Sequence, residues 1–531
     1  MQLINRYRDE WPIAVAGLVC TAGYAAVSRT GDLDGNRVRL GVVVVAAWLM
    51  FAAAAGLARR NAPRARDDGR RRHRLVLVVL FAAGCQLPGV LVAPQSSSDA
   101  YRYVWDGRVQ LSGTSPYRYV PLDDRLAGLR DPLLFPRLRP SEPSGVRTLD
   151  RLPTAPAAVR ALAQNDARTR INRPRVPTIY PPVAQAWFTA VALVTPWSWG
   201  THGLQAAAAL LAVGLTLGLG LMLGRRGRDP AAALGWGWCP LVVLEAGNGA
   251  HVDVLAAALT VAAVAVLGNR RNAAGQTVSR IVGGLLLGLA AATKIIPLLL
   301  LPALTVLRRR NGGGARQLLV PLTTLGTFAL TYLPHVLAVG ALVLGYLPGY
   351  LSEEGFDDGG SRYGVLGLVL PMSVRSPVAL ALAAVLALVA LARADVERPE
   401  RTAVWLFGGA VLIATPAYAW YCLPLVALAV IAGRPEWSAV AVAGYLAYAG
   451  IRVPYLPGAA YGLAGVVVLL VTLVRRAQAR NEVDSPAGEA LSPHESGYTS
   501  LRGELAALPL RGLGRAAGAR PERRPDRVPD I

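Results

Sequence analysis

Apolar runs of bilayer length recur along most of this chain, separated by short polar or basic stretches. Such runs predict membrane-crossing helices, because a hydrocarbon layer about 30 Å thick takes about 20 mostly apolar residues to span. The pattern predicts spans over 11–28, 40–58, 75–94, 203–224, 231–246, 252–268, 317–338, 376–393, 402–416, 418–432, 438–451 and 459–474. Segment 281–307 has the length of a single span, yet arginines flank it on both sides: Arg270, Arg271 and Arg280 before it, Arg308, Arg309, Arg310 and Arg316 after it. Cytoplasmic segments collect arginine, so both ends belong on the same face. Two half-crossing helices meeting at an outer turn near Lys294 and Pro297 satisfy that constraint, with one tilted span as the alternative. The expectation is an all-α polytopic membrane protein with about fourteen transmembrane helices, the half-crossings included.

Composition supports this reading. Of 531 residues 53% are hydrophobic and only 17% charged, well below the quarter usual in soluble domains. The 55 basic against 33 acidic residues give +22, concentrated in clusters between apolar runs. That placement points to topology signals and anionic lipid headgroups, and no nucleic-acid motif accompanies it. Arg59 to Arg74 is the densest cluster of the first half and is placed in the cytoplasm. The next span then delivers 95–202 to the outer face, a loop far longer than an ordinary connection. Within it, the apolar piece from Tyr180 to Trp199 is read as a helix lying at the outer interface, anchored by Trp187, Trp197 and Trp199. Three regions follow: an N-terminal transmembrane hairpin with a basic loop (1–74), a main transmembrane domain (75–474), and a disordered cytoplasmic tail (475–531) rich in Pro, Gly, Arg and Glu. Both termini are cytoplasmic, and the first apolar run, lacking a small-residue cleavage site, is a span. Cys20, Cys85, Cys239 and Cys422 lie singly in apolar stretches and read as buried thiols.

The unusual polar residues collect on the expected outer side. Ser96-Ser-Ser-Asp-Ala-Tyr-Arg-Tyr-Val-Trp-Asp-Gly-Arg108 puts Asp99 just past a membrane exit. In one reading Ser98 or Asp99 caps a helix whose Tyr101, Tyr103 and Trp105 form an aromatic belt. In the other Asp99 is a general base, with Arg102 one turn away for an anion. Asp106, seven positions on, is the alternative base. Lys294 is the single lysine of the chain and lies in an apolar segment, where a cation marks a functional site with an anionic partner or a side chain snorkelling to the interface. A compact ammonium suits a phosphate, and Arg362, in the polar loop 352–363, is a further candidate for it. Asn248, His251 and Asp253 stand together at a hairpin tip between 245 and 253, as contacts for a sugar or acceptor; their spacing matches no standard metal site. Tyr180 and Trp420 supply aromatic surface for the same purpose. Nothing firmly implies a cofactor, and the sequence is silent on a divalent metal. Walker, Rossmann and DxD signatures are absent, so an enzyme of this kind takes an activated substrate from the membrane itself.

The stretches Asp99-Ala-Tyr-Arg-Tyr-Val-Trp-Asp-Gly-Arg-Val, Ser115-Pro-Tyr117, Ile171-Asn-Arg-Pro and Pro177-Thr-Ile-Tyr-Pro-Pro182 resemble the first outer loop of GT-C glycosyltransferases. Gly247-Asn-Gly-Ala-His-Val-Asp253, Gly288 to Pro297 and Glu353-Glu-Gly-Phe continue the likeness, which covers about residues 75–430 and is nearest to the family 87 type, including actinobacterial polyprenyl-phosphomannose-dependent mannosyltransferases. The resemblance implies a GT-C-type fold, a polyprenyl-phosphate sugar donor (mannose the favoured sugar), an envelope glycan or glycolipid acceptor, and inverting catalysis on the outer face by Asp99. Two other classes compete. A transporter or flippase of lipid-linked sugars would also use broken helices and intramembrane charges, and an envelope scaffold would leave Asp99 and Lys294 without a task.

Overall fold

The computed structural model describes residues 10–60, 68–151, 153, 155–268, 273–305, 315–356, 362–395 and 397–483. Among them the only non-helical pairing is one isolated bridge between Asp123 and Val146. Arg270, Arg271, Arg308, Arg309 and Arg310, which set the expected topology around Lys294, lie outside the described residues, as does the tail from 484 onward.

The principal helices are α1 (Trp11–Val27), α2 (Arg37–Arg59), α3 (Asp68–Val90), α4 (Asp99–Leu111), α5 (Pro182–Val194), α6 (His202–Arg225), α7 (Asp253–Leu267), α8 (Ala273–Ala291), α9 (Leu319–Val339), α10 (Met372–Ala392), α11 (Pro399–Ile413), α12 (Leu423–Ala432), α13 (Ser438–Ala449) and α14 (Leu456–Val483). Six helical stretches are long and apolar enough to cross a membrane: α2, α3, α6, the 38-residue stretch Arg316–Glu353 that contains α9, α10, and Leu456–Asn481 within α14. Several shorter apolar helices accompany them, α1, α5 and α7 included. This is the helical, membrane-embedded architecture that the apolar runs require.

The chain divides into two units, 1–470 and 471–531. The second is described only through 483, where α14 ends; residues 475–483, expected to open the tail, are helical because Ala477, Gln478, Ala479 and Arg480 are good helix formers. In the first unit the N-terminal hairpin is not a body of its own. Ile13, Cys20, Tyr24, Leu40 and Val44 share one core with α6, α7, α12 and α13, and the Tyr24 hydroxyl donates to the Trp238 carbonyl at 2.6 Å. A second core is built on α4, α5 and the loop residues Leu122, Leu126, Leu134 and Phe135. Its closest approach is at Gly107, where a Cβ would lie 2.6 Å from the Phe188 carbonyl oxygen; glycine lets α4 lie directly on the α5 backbone.

Two expected helices are broken. The span expected over 231–246 is a series of short pieces, Pro230–Ala233, Leu234–Gly237 and Pro240–Val242, ending in a π turn over Val243–Asn248. Pro240 cannot continue a helix past Cys239, and the wider π turn carries Glu245 and Asn248 inward. The second break follows α8 over 292–295, with Lys294 in it, before Ile296–Leu300 and Leu301–Leu304 resume. The freed Ala292 carbonyl accepts from Val183 N at 2.9 Å, which ties the break to the start of α5. At 13 residues, about 20 Å of helix, α5 is shorter than a bilayer core.

Candidate active site

Asp99 is the first residue of α4, and the route to it is fixed by Asn248. The Asn248 amide donates to the Gly89 and Ala93 carbonyls at 3.1 and 3.0 Å, and its oxygen accepts from Gln95 N at 2.8 Å. Gln205 binds the Asn248 carbonyl at 2.9 Å. The whole amide is spent on the turn from α3 to α4, so Asn248 sets the position of Asp99 and has no donor left for a sugar.

Ser98 occupies the N-cap but makes no capping hydrogen bond, and the Asp99 amide donates instead to Ser97 Oγ at 3.1 Å. The Asp99 carboxylate is therefore free of a capping role. It accepts from the Asn172 amide, stands 3.5 Å from the Tyr103 hydroxyl and 3.7 Å from His251 Nε2, and its side chain is 13% exposed. The aromatics expected as an interfacial belt turn inward: Tyr103 and Trp105 are buried in the outer core, Tyr103 stacked on Phe188 at 4.4 Å and Trp105 edge-on to Phe135 at 5.0 Å.

Asp106 and Arg102 sit on the same helix in a different environment. Both are buried, joined through Arg102 Nε at 3.0 Å, and Arg102 also donates to the Val176 carbonyl. Asp106 accepts further from Thr178 Oγ1 at 2.6 Å and Gln185 Nε2 at 3.0 Å. A carboxylate with three donors and no exposed surface is a structural tie between α4, α5 and 176–178, and the guanidinium beside it is equally committed. Arg362 is held in the same manner. It donates to the Glu354 carboxylate at 2.5 Å, to the Glu354 and Ala414 carbonyls at 2.6 and 3.3 Å, and to the Pro416 carbonyl. Of the polar loop 352–363, residues 357–361 lie outside the described residues; Glu353 is clamped by Arg173 at 2.6 and 3.0 Å.

His251 joins Asp99 to a buried carboxylate. Its Nδ1 stands 2.9 Å from Glu245 Oε2, and Glu245 also takes hydrogen bonds from Tyr445 and from Ser96 Oγ at 3.3 Å. In the turn that holds His251, burial opposes an imidazolium, but Glu245, reinforced by Asp99 and Asp253, outweighs it and raises the pKa above the ordinary histidine value. Trp420 stacks on the imidazole at 4.2 Å and on Tyr418 at 4.6 Å. Next to this group Lys294 Nζ donates to Asp253 at 3.3 Å and lies over the rings of Tyr421 and Tyr180, at 4.6 and 5.6 Å. The tertiary structure thus gathers Asp99, His251, Asp253, Lys294, Tyr180 and Trp420 in one region and assigns Arg102, Asp106, Asn248 and Arg362 to the frame around it. Among the described residues no group of three or more His, Cys, Asp or Glu side chains forms a metal set.

No family model, curated protein or solved structure matches the chain.

Sequence reasoning passed over Glu245, Asn172, Arg173 and Tyr445. Glu245 had a signal, a lone carboxylate closing an apolar run, which by default marks function. Asn172 and Arg173 stood in the Ile171-Asn-Arg-Pro stretch, but nothing local shows that Asn172 meets Asp99 across 73 positions of chain.

Proposed function

We propose that this protein is a membrane glycosyltransferase that moves a sugar, mannose being the favoured one, from a polyprenyl-phosphate donor to an envelope glycan or glycolipid. In this reading the fold is of GT-C type with about fourteen crossings, both termini are cytoplasmic, and the reaction takes place on the outer face. The observation that carries it is the contrast between two carboxylates of α4. Asp106 is consumed by three donors, whereas Asp99 keeps an exposed edge beside His251, whose ring stacks on Trp420, in a region where Lys294 pairs with Asp253 under Tyr180 and Tyr421.

The chemistry is an inverting displacement. The acceptor hydroxyl oxygen forms a bond to the anomeric carbon, the bond from that carbon to the phosphate oxygen breaks with its electron pair leaving on the phosphate, and the hydroxyl proton passes to Asp99. Lys294 spends one of its three N–H donors on Asp253 and has two for the departing phosphate, so it takes the role first divided among three cations. Asn172 and Tyr103 aim the base.

The test is a transfer assay in membrane vesicles supplied with labelled polyprenyl-phosphomannose and an envelope lipid and glycan extract. Asp99→Asn is expected to lower product formation by about 10²- to 10⁴-fold, the usual worth of a positioned base. Equal transfer by both proteins would remove Asp99 from the reaction. A second reading draws on the broken run 230–248 and the break at 292–295; Lys294 in the second pairs with Asp253, just past the first, and a transporter of lipid-linked sugars places charges at such breaks. It predicts donor movement across the bilayer with no new glycosidic product.

A further inference from the structure

Behind Asp99 lies a buried charged group for which the proposed transfer has not yet named a task. Glu245 and His251 are both completely buried, 2.9 Å apart, and the outward nitrogen of the imidazole faces Asp99 at 3.7 Å. Trp420 fixes the plane of that ring, while Tyr445 of α13 and Ser96 donate to the Glu245 carboxylate. A carboxylate buried alone in apolar surroundings takes up a proton to avoid its charge. Here two hydroxyl donors and an imidazole surround it, the arrangement in which a buried carboxylate–imidazolium pair persists.

Resting on the proposed transfer with Asp99 as base, we infer that Glu245 is a positioning residue: through His251 it presents a fixed cationic edge to Asp99 and so holds that side chain in place for the acceptor's proton. Glu245 touches no substrate and acts only through the ring. The other titratable groups facing this set are accounted for. Asp253 on α7 is neutralised by Lys294, and Tyr103 of α4, with Tyr180 before α5 and Tyr418 before α12, surrounds Asp99 as neutral hydroxyls. Arg173, which also acts on Asp99, is paired with Glu353.

The deciding variant is Glu245→Gln, which keeps the size of the side chain and removes its charge. Burial then outweighs the weaker pull of Asp99 and Asp253 on His251, the ring loses its proton, and Asp99 loses its cationic neighbour. The expected result is an acidic limb of the pH profile of kcat/KM for transfer moved upward by about one pH unit, with the rate loss largest at low pH. Glu245→Asp, which retains the charge, is expected to return the limb to its original position even where the rate stays reduced. A limb that does not move, with the rate lowered equally at all pH values, would make Glu245 merely structural and overturn the inference. Nitrogen-15 NMR of histidine-labelled wild-type protein gives a second arm that needs no transfer. With five histidines and a His251→Gln spectrum for assignment, His251 is expected as an imidazolium at pH 7; a neutral ring there would overturn the inference. Because this arm is independent of catalysis, absence of product would count against the transfer reaction alone.

Discussion

Asp99 and Asp106 are the same residue type, seven positions apart on one helix, and share a face in any helical reading. Their environments separate them. Asp106 is closed in by Arg102, Thr178 and Gln185, while Asp99 meets only Asn172, Tyr103 and the edge of His251. Opposite outcomes are therefore expected from the same substitution. Asp106→Asn leaves the Arg102 guanidinium buried without its counter-charge and is expected to cost about 3 kcal/mol, the lower end for breaking a buried pair, read as a fall in the thermal midpoint in detergent. Asp99→Asn is expected to leave that midpoint unchanged while transfer is lost. Lys294 shows the same dependence on surroundings: one ammonium in an apolar segment is tolerable because Asp253 and the faces of Tyr421 and Tyr180 replace its water.

Helices and loops carry a second set of consequences. The stretch between α4 and α5 has little regular structure, and Arg-carboxylate ties hold it instead. Asp166 accepts from Arg168 and Arg175, and these bonds lower its pKa to about 2. The backbone amide of Ser144 and the Arg130 guanidinium likewise bring Asp124 down to about 2. Burial works against ionisation of Asp123, yet Arg125 and Thr148 outweigh it and hold its pKa below the ordinary carboxylate value. A depressed folded pKa gives stability that is complete above the unfolded value near 4 and is lost as pH falls through the folded one. Amide hydrogen exchange, corrected for its intrinsic pH dependence, is expected to show 122–148 and 166–175 losing protection between about pH 4 and 2 while α3 and α6 keep theirs. Uniform loss across all these segments would mean that the ties contribute nothing local.

Across the molecule, large apolar side chains face outward on the long helices: Leu210 on α6, Leu330 and Leu337 on α9, Leu380 and Leu388 on α10, and Leu463 on α14 are all at least 65% exposed. Such surface is untenable in water and ordinary in lipid. The proposed topology places 95–202 outside and the Arg59 to Arg74 cluster inside. All four native cysteines are buried, so a single introduced thiol reports its own side. With a membrane-impermeant maleimide on intact cells, Arg147→Cys is expected to label and Arg60→Cys to label only after the membrane is opened. The reverse pattern would invert the topology and move the candidate site to the cytoplasmic face. Hydrophobic run length was enough to find the long helices and the all-α architecture, since a bilayer-spanning helix is a local property of about twenty consecutive residues. The Lys294 break was also legible, through an isolated lysine beside Pro297. Run length could not reveal the broken course of 231–248 or the inward turn of Tyr103 and Trp105. Nor could it show that Arg102, Asn248 and Arg362 are frame, or that Glu245, His251 and Asn172 converge on Asp99. Those facts depend on which partners meet across 70 to 200 positions of chain. Local pattern decides where a helix forms, but burial and the pairing of polar groups decide what each side chain on it is free to do.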